Sequence, residues 1–202
     1  MDWNSQIHCA QIASDASELE RAKEGFDYVC RTVGKVLARL APSDRFSVSM
    51  RLYHGWYRGF QITDRRRAIT QIVAAADFPS LSRKANVVIR HIVQYGDNLL
   101  SALPTRVHSK LNIHLPNTFR KSVKYPLDYE EKMVDTAIAS DFVDLAHREP
   151  DRWLLILAED DDLVPPIFVA EGLRSGASGR VALVRARPDG VFLNLSSLSS
   201  KP

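Results

Sequence analysis

The spacing of apolar residues along the chain predicts helices and strands that alternate. In some segments apolar residues recur every three or four positions, as on one face of a helix. In others they alternate with polar residues or are mostly β-branched, as in strands. Helices are predicted at 17–40, 64–76, 128–146 and 164–173, and strands at 46–53, 86–95, 153–158, 180–187 and 191–195. This order predicts an α/β fold with a mostly parallel sheet and helices on both faces.

The most informative stretch is the apolar run 153–158, which ends at four consecutive carboxylates, Glu159 to Asp162. An apolar run of this kind is typical of a central parallel strand. In open α/β sheets, ligands bind beyond the carboxyl ends of the strands. Capping the next helix would require one Asp and not four acidic residues. Crowded carboxylates at a buried strand end are costly unless a cation neutralises them, so the stretch favours a metal site over a solvated acidic turn.

Further carboxylates belong to the helix that precedes this strand. Asp135 falls near its start, and a short connection brings the two elements together. Asp141 lies six residues on, about 120° around a regular helix, and is a weaker candidate. Clusters made only of carboxylates suit Mg²⁺ or Mn²⁺, cations that serve phosphoryl chemistry. No phosphate-binding loop, dinucleotide fingerprint or nucleophile triad competes with this interpretation.

The composition is that of an ordinary globular protein, with 45% hydrophobic and 25% charged residues. Residues 1–202 are predicted to form a single domain, since no internal repeat or linker divides them. Cys9 and Cys30 lack metal-ligand spacing. No apolar run approaches the ~20 residues that span a bilayer. We therefore expect a cytoplasmic protein with no membrane partner.

Charge is strongly segregated in one segment, a basic loop or arm at about 98–127 that contains no Asp or Glu. It is either a solvated surface loop or a surface that follows a phosphate backbone, and the segregation favours the second. The candidate nucleic-acid-binding residues are Arg106, Lys110, Arg120, Lys121 and Lys124.

Several of these residues carry a resemblance to a known family. Lys132-Met133-Val134-Asp135 with Asp141, followed by the block from Ala158 to Pro165, resembles the NYN family of PIN-like nucleases. The pattern of that family is Lys-Gly-Val-Asp…Asp, then Ser-Gly-Asp-x-Asp-Phe-x-Pro. Its first motif, Asp-x-Asn, corresponds to Asp2-Trp3-Asn4, and Tyr53-His54-Gly55 resembles the end of its second strand.

The resemblance implies a PIN-like three-layer α/β/α sandwich and a divalent-metal-dependent nuclease, most often an endoribonuclease. Its catalytic and metal-binding residues would be Asp2, Asp135, Asp160 and Asp162. Secondary candidates are Asn4, which would orient the site, and Lys132, Asp141 and Asp161. RNA or another single-stranded nucleic acid is the expected partner, and a homodimer is left open.

Two alternatives remain. Met133 stands where the family has glycine, and Ala158-Glu159 where it has Ser-Gly, which favours a degenerate domain that binds RNA or a protein without cleaving. A metal-dependent hydrolase of small phosphates is the third reading, and the basic segment favours a polymer over a small phosphate.

Overall fold

The computed structural model describes residues 1–96, 118–124, 128–174 and 176–186. The predicted strand at 191–195 and the basic residues Arg106 and Lys110 lie outside these ranges. The fold is mixed α/β, as predicted. Its helices are α1 (Trp3–Cys9), α2 (Glu18–Leu40), α3 (Asp64–Ala75), α4 (Phe78–Leu81), α5 (Val134–Arg148) and α6 (Val164–Leu173). Its strands are β1 (Phe46–Leu52), β2 (Tyr57–Arg58), β3 (Gln61–Ile62), β4 (Val87–Tyr95), β5 (Phe119–Lys121), β6 (Tyr129–Glu131), β7 (Leu154–Leu157) and β8 (Val181–Val184).

Two parallel strand pairs form the centre of the fold. β1 pairs with β4, with Phe46 opposite Val87 and an irregularity between Val48 and Met50. β7 pairs with β8 in uninterrupted register. Parallel strands buried on both faces need apolar side chains, which explains the continuous apolar run of β7.

The first residues of the chain join the two pairs. The N–H of Tyr53 donates to the carbonyl of Met1 at 2.9 Å, and the N–H of Trp3 donates to the carbonyl of Tyr53 at 2.8 Å. On the other side, the N–H of Asp2 donates to the carbonyl of Leu157 at 3.0 Å. The backbone of residues 1–3 therefore runs between β1 and β7, in the order β4, β1, residues 1–3, β7, β8.

Helices cover both faces of this arrangement. One apolar cluster contains Phe26, Val29 and Leu37 of α2 together with side chains of α3, β1 and β4. A second cluster combines α5 and α6 with β7 and β8. Leu157 belongs to the first cluster and its neighbour Ile156 to the second, because successive side chains of a strand point to opposite faces.

Local sequence signals determine where helices α2 and α6 begin. Ser17 and Glu20 form the predicted capping box at the start of α2, with the Glu20 N–H donating to the Ser17 hydroxyl at 3.2 Å. α6 begins at Val164 with prolines in its first turn, where a missing N–H costs nothing. Within the described ranges no helix is both long and apolar enough to cross a membrane.

The predicted helix at 128–146 is wrong in its first six residues. Residues Tyr129–Glu131 form β6, which pairs antiparallel with β5, Lys121 lying opposite Tyr129. The helix then begins at Val134, after Met133 has taken a left-handed conformation with φ of 66°. Tyr129 and Met133 are four apart and mimic a helical period, but pairing with a distant strand overrides it.

Candidate metal centre

Asp2 occupies the junction between the two strand pairs. Its Oδ1 caps α1, accepting from the N–H groups of Asn4 at 3.1 Å and Ser5 at 3.4 Å. Burial raises the pKa of this carboxyl to about 6, and the negative charges of Glu131 and Asp135 add to the shift. Asp2 therefore shares an electrostatic environment with Glu131 and Asp135.

Asp135 lies in the first turn of α5, directly after the left-handed Met133. Burial raises its pKa, and the charges of Asp160, Glu131 and Asp162 raise it further. Asp135 is therefore within electrostatic range of Asp2, of Glu131 and of the carboxylates that follow β7.

The acidic run after β7 forms a short 3₁₀ helix, Asp161–Leu163, rather than a disordered loop. The Oδ1 of Asp160 accepts from the N–H of Asp162 at 2.9 Å. Asp161 instead pairs with Arg185 at 2.8 Å. The charges of Asp160 and Asp162 thus raise the pKa of Asp135. Asp161 instead contacts the segment after β8.

Sequence reasoning missed one acidic residue, Glu131. Its Oε1 accepts from the N–H of Gly55 at 2.7 Å and contacts the buried Nδ1 of His54. Although burial favours its neutral form, the contacts with His54 and Gly55 hold the pKa of Glu131 below its ordinary value. Glu131 adds a fifth carboxylate beside Asp2 and Asp135. No local motif distinguishes it from Glu130, because its partners come from a distant strand end.

Asp141 is placed elsewhere. It is 1% exposed and accepts from Arg51 at 2.9 Å and from the Tyr53 hydroxyl at 2.5 Å. The secondary candidate Lys132 pairs with Glu130 at 3.0 Å. Asn4 lies in the first turn of α1 and lines a small cavity of about 190 Å³. Asp135 is therefore within electrostatic range of Asp2, Asp160 and Asp162, whereas Asp141 is engaged by Arg51 and Tyr53.

The carboxylates influence one another electrostatically, but they do not form a complete metal-coordination shell. Within the part of the chain that the structure describes, no three His, Cys, Asp or Glu side chains are already arranged to hold a metal ion. Two of the four, Asp2 and Asp160, use one oxygen each as a helix cap.

Two small antiparallel hairpins lie beside the acidic residues. β2 and β3 form one, with the exposed Phe60 near its tip, and β5 and β6 form the other. The N–H of Tyr57 donates to the Thr118 hydroxyl at 3.3 Å, and Arg58 lies over the Tyr129 ring at 4.0 Å. The basic candidates Arg120, Lys121 and Lys124 belong to or follow β5, so the hairpins present aromatic and cationic groups next to Glu131.

Comparison with known proteins gives no match, whether to a family model, to a curated protein or to a solved structure.

Proposed function

We propose that the protein is a divalent-metal-dependent nuclease, an endoribonuclease with a PIN-like α/β/α sandwich. The observation that carries the proposal is the electrostatic cluster of Asp2, Asp135, Asp160 and Asp162, drawn from three separate segments of the chain. Two of these carboxyls, Asp2 and Asp135, have raised pKa values, because burial and like charges disfavour their ionised form.

The donor set fits a hard divalent cation. Carboxylate oxygens are the ligands that Mg²⁺ and Mn²⁺ prefer, and a cation would relieve the mutual repulsion. Both cap bonds of Asp2 and the cap bond of Asp160 fall on Oδ1, which leaves Oδ2 of each as a ligand. When bound, such a cation supplies activation of water and stabilisation of charge on the phosphodiester oxygens.

Other residues of the chain would orient the site and bind the substrate. Glu131 is oriented by His54 and by the Gly55 N–H, so its carboxylate is fixed next to Asp2. The hairpin with Arg120 and Lys121 would follow the phosphate backbone, and aromatic groups such as Phe60 would stack on bases. These features support RNA or another single-stranded nucleic acid as substrate.

A second candidate function is nucleic-acid or protein binding without cleavage. The capping roles of Asp2 and Asp160 favour it, since both carboxylates already have a structural purpose. Met133, Ala158 and Glu159 replace small or polar residues of the family pattern, which also favours this alternative.

A cleavage assay separates the two functions. Labelled single-stranded RNA and DNA are incubated with the protein in Mg²⁺, in Mn²⁺ and in chelator. The nuclease proposal requires cleavage of RNA that depends on the cation and stops in chelator. Binding in all three conditions with no cleavage would establish the second function instead.

A charge-removing substitution then tests the cluster itself. We expect Asp160→Asn to reduce cleavage at least ~100-fold, because a ligand charge is lost, while the amide still accepts the Asp162 N–H as a cap. Without metal, the pKa of Asp135 should also fall toward its ordinary value, which an NMR titration measures. Asp77→Asn, at an exposed position, is the matched control. Undiminished cleavage by Asp160→Asn would place the active site elsewhere.

A further inference from the structure

A small cavity lies beside the candidate metal centre, where α1 and α2 approach each other. It is lined by Trp3 and Asn4, which directly follow Asp2, and by His54, whose ring contacts Glu131. Its volume is about 190 Å³. That volume is below the ~300–1,000 Å³ of pockets for drug-sized ligands but several times the ~30 Å³ share of one water molecule. The cavity therefore has room for one group of the size of a nucleobase.

Part of the cavity wall is apolar and held in a fixed position. Trp3 and Ala22 line it and are buried, and the connection between α1 and α2 contributes Ile12. That connection is fastened to α2 by Arg21, whose Nε donates to the Ala16 carbonyl at 3.0 Å. An apolar wall that includes an indole can pack against the face of an aromatic ring.

The polar lining of the cavity includes an acidic and a basic side chain that contact each other. Glu18 lies in the first turn of α2 and Arg65 in the first turn of α3. Their Oε2 and Nε atoms are 3.6 Å apart, which is longer than a hydrogen bond, and both side chains are 43% exposed. Such an exposed pair contributes little to stability, so a ligand can bridge it at low cost.

Arg65 is oriented by a buried residue of the same cavity. Its Nη1 lies 3.3 Å from Nε2 of His54, which is 1% exposed. Because a guanidinium only donates, Nε2 accepts and the ring hydrogen of His54 lies on Nδ1, which contacts Glu131. The Nε and Nη1 of Arg65 are thus directed at Glu18 and His54. Among the described residues its Nη2 has no partner, so it can donate to a ligand.

We propose that this cavity binds one guanine base of a single-stranded RNA, next to the metal centre. The Watson–Crick edge of guanine presents one acceptor, O6, and then two donors, N1–H and the 2-amino group. Arg65 would donate to O6, and the two carboxylate oxygens of Glu18 would accept from the two donors. The base would pack on Trp3. The choice of RNA rests on the proposed function, whereas recognition of the base requires neither metal nor cleavage.

The other bases match these two side chains less well. Adenine and cytosine each present one donor group on the same edge, and uracil presents one N–H between two acceptors. One oxygen of Glu18 would then face either no donor or another acceptor. A carboxylate oxygen left without a donor in a partly enclosed site is unfavourable, so Glu18 discriminates against these bases.

The test titrates the protein with the 5′-monophosphates of guanosine, adenosine, cytidine, uridine and inosine in chelator, where no cation can hold the shared phosphate. NMR shifts report binding: the Trp3 indole N–H should move, and that of Trp153, which packs against Phe46, should not. We expect the guanosine nucleotide to bind at least ~5-fold more tightly than the adenosine, cytidine and uridine nucleotides, the low end for a bidentate contact. Inosine lacks only the 2-amino group, and its nucleotide should bind at least ~3-fold more weakly than that of guanosine, as one hydrogen bond is lost.

A charge-removing variant assigns the preference to the cavity. Glu18→Gln keeps the shape of the side chain but loses one acceptor, so the guanosine nucleotide should fall to the affinity of the others. Glu24→Gln, at an exposed position of α2 outside the cavity, is the matched control and should keep the preference. Equal affinity for the five nucleotides, or an equal loss in both variants, would overturn the proposal.

A short single-stranded RNA with one guanine decides the source of the base. In chelator it should bind more tightly than the guanosine nucleotide, and replacing its guanine by adenine should weaken binding at least ~5-fold. Weaker binding of this RNA than of the mononucleotide would overturn the RNA ligand and assign the cavity to a free guanine nucleotide. A lack of cleavage when Mg²⁺ or Mn²⁺ is added would contradict the proposed function alone, because the titrations require no cleavage.

Discussion

Asp2 combines a structural and an electrostatic role in one carboxylate. It caps α1 and links β1 to β7 through its backbone, yet it sits among like charges that raise its pKa to about 6. Because the ordinary value is 3.8, the folded protein keeps this proton where the unfolded chain has lost it. The contribution of Asp2 to stability is therefore greatest below pH ~4 and is lost as the pH rises toward ~6.

Asp2→Asn should remove this dependence. The amide still caps α1 but does not titrate, so the decline in unfolding free energy between pH 4 and 7 should be smaller than in the parent. Urea unfolding at pH 4, 5, 6 and 7 measures it, with the exposed Asp15→Asn as the matched variant. A parallel decline in Asp2→Asn and the parent would show that burial of Asp2 is not the cause.

Asp141 has a structural role that its place in the family motif does not reveal. Its carboxylate is fully buried against Arg51 and the Tyr53 hydroxyl, which anchors α5 to the end of β1. The direct cationic partner offsets the cost of burying this carboxylate.

Asp141→Ala should therefore cost about 3 kcal/mol of unfolding free energy, because Arg51 loses its buried partner. Asp144→Ala, one turn along the same helix, breaks a partly exposed pair with Arg148 and should cost ~0.5 kcal/mol or less. Urea unfolding of the two variants and the parent measures both losses of unfolding free energy. Below its transition, Asp141→Ala should cleave RNA at the parental rate, and a loss of cleavage in the fully folded variant would return Asp141 to the site.

At the scale of elements, the two hairpins would form the surface that contacts a single-stranded substrate under the proposed function. Phe60 is 87% exposed and follows Gly59, whose φ of 61° favours glycine and turns the chain between β2 and β3. Phe119 and Tyr129 stack with ring centroids 5.4 Å apart and hold Arg58 against them. Arg58 of β2 therefore packs on the second hairpin, while the exposed Phe60 contributes little to the core.

Phe60→Ala should weaken binding of single-stranded RNA by ~1–3 kcal/mol, the usual cost of losing one stacked base. Thermal stability should not change, because the side chain is exposed. Phe168→Ala, on the half-exposed face of α6, removes an aromatic residue away from the hairpins and should leave affinity unchanged. Fluorescence anisotropy at one fixed salt concentration measures both. Equal affinities would exclude stacking on Phe60.

The elements that the sequence predicts best are those with purely local signals. α2 follows from its apolar period and capping box, and β7 from its apolar run. β6 could not be predicted, because three residues acquire strand structure only from pairing with β5. The helix at the chain start was missed for a related reason: Trp3 fits both a strand and a helix until its burial beside α2 selects the helix.

At the scale of the whole molecule, the proximity of some site residues could be predicted from the sequence and that of others could not. The proximity of Asp135, Asp160 and Asp162 could be expected from adjacent elements and a short connection. The placement of Asp2 against Leu157 could only be suggested by a motif, and Glu131 not at all, because contacts more than 70 residues apart determine both. The site is a product of the assembled fold.

A cation that binds this site should consequently stabilise the whole molecule. Carboxylates from the chain start, α5 and the 3₁₀ helix would hold Mg²⁺, and these segments come together only in the folded state. Binding to the folded state alone adds ~2.7 kcal/mol when free Mg²⁺ is 100 times its dissociation constant. For a domain of this size, the midpoint of thermal unfolding should then rise by ~5–10 °C. Relief of repulsion should also lower the pKa of Asp2 and Asp135, so the rise should be larger at pH 7 than at pH 5.

The measurement is thermal unfolding in Mg²⁺ against K⁺ at equal ionic strength, which requires no substrate and no activity. Asp160→Asn should lose most of the Mg²⁺ effect and Asp77→Asn should keep it, because only the first variant removes a ligand charge. General screening would stabilise both variants equally and independently of the cation. That outcome would mean that the carboxylates after β7 are a solvated acidic turn, and that the fold tolerates their repulsion without a metal.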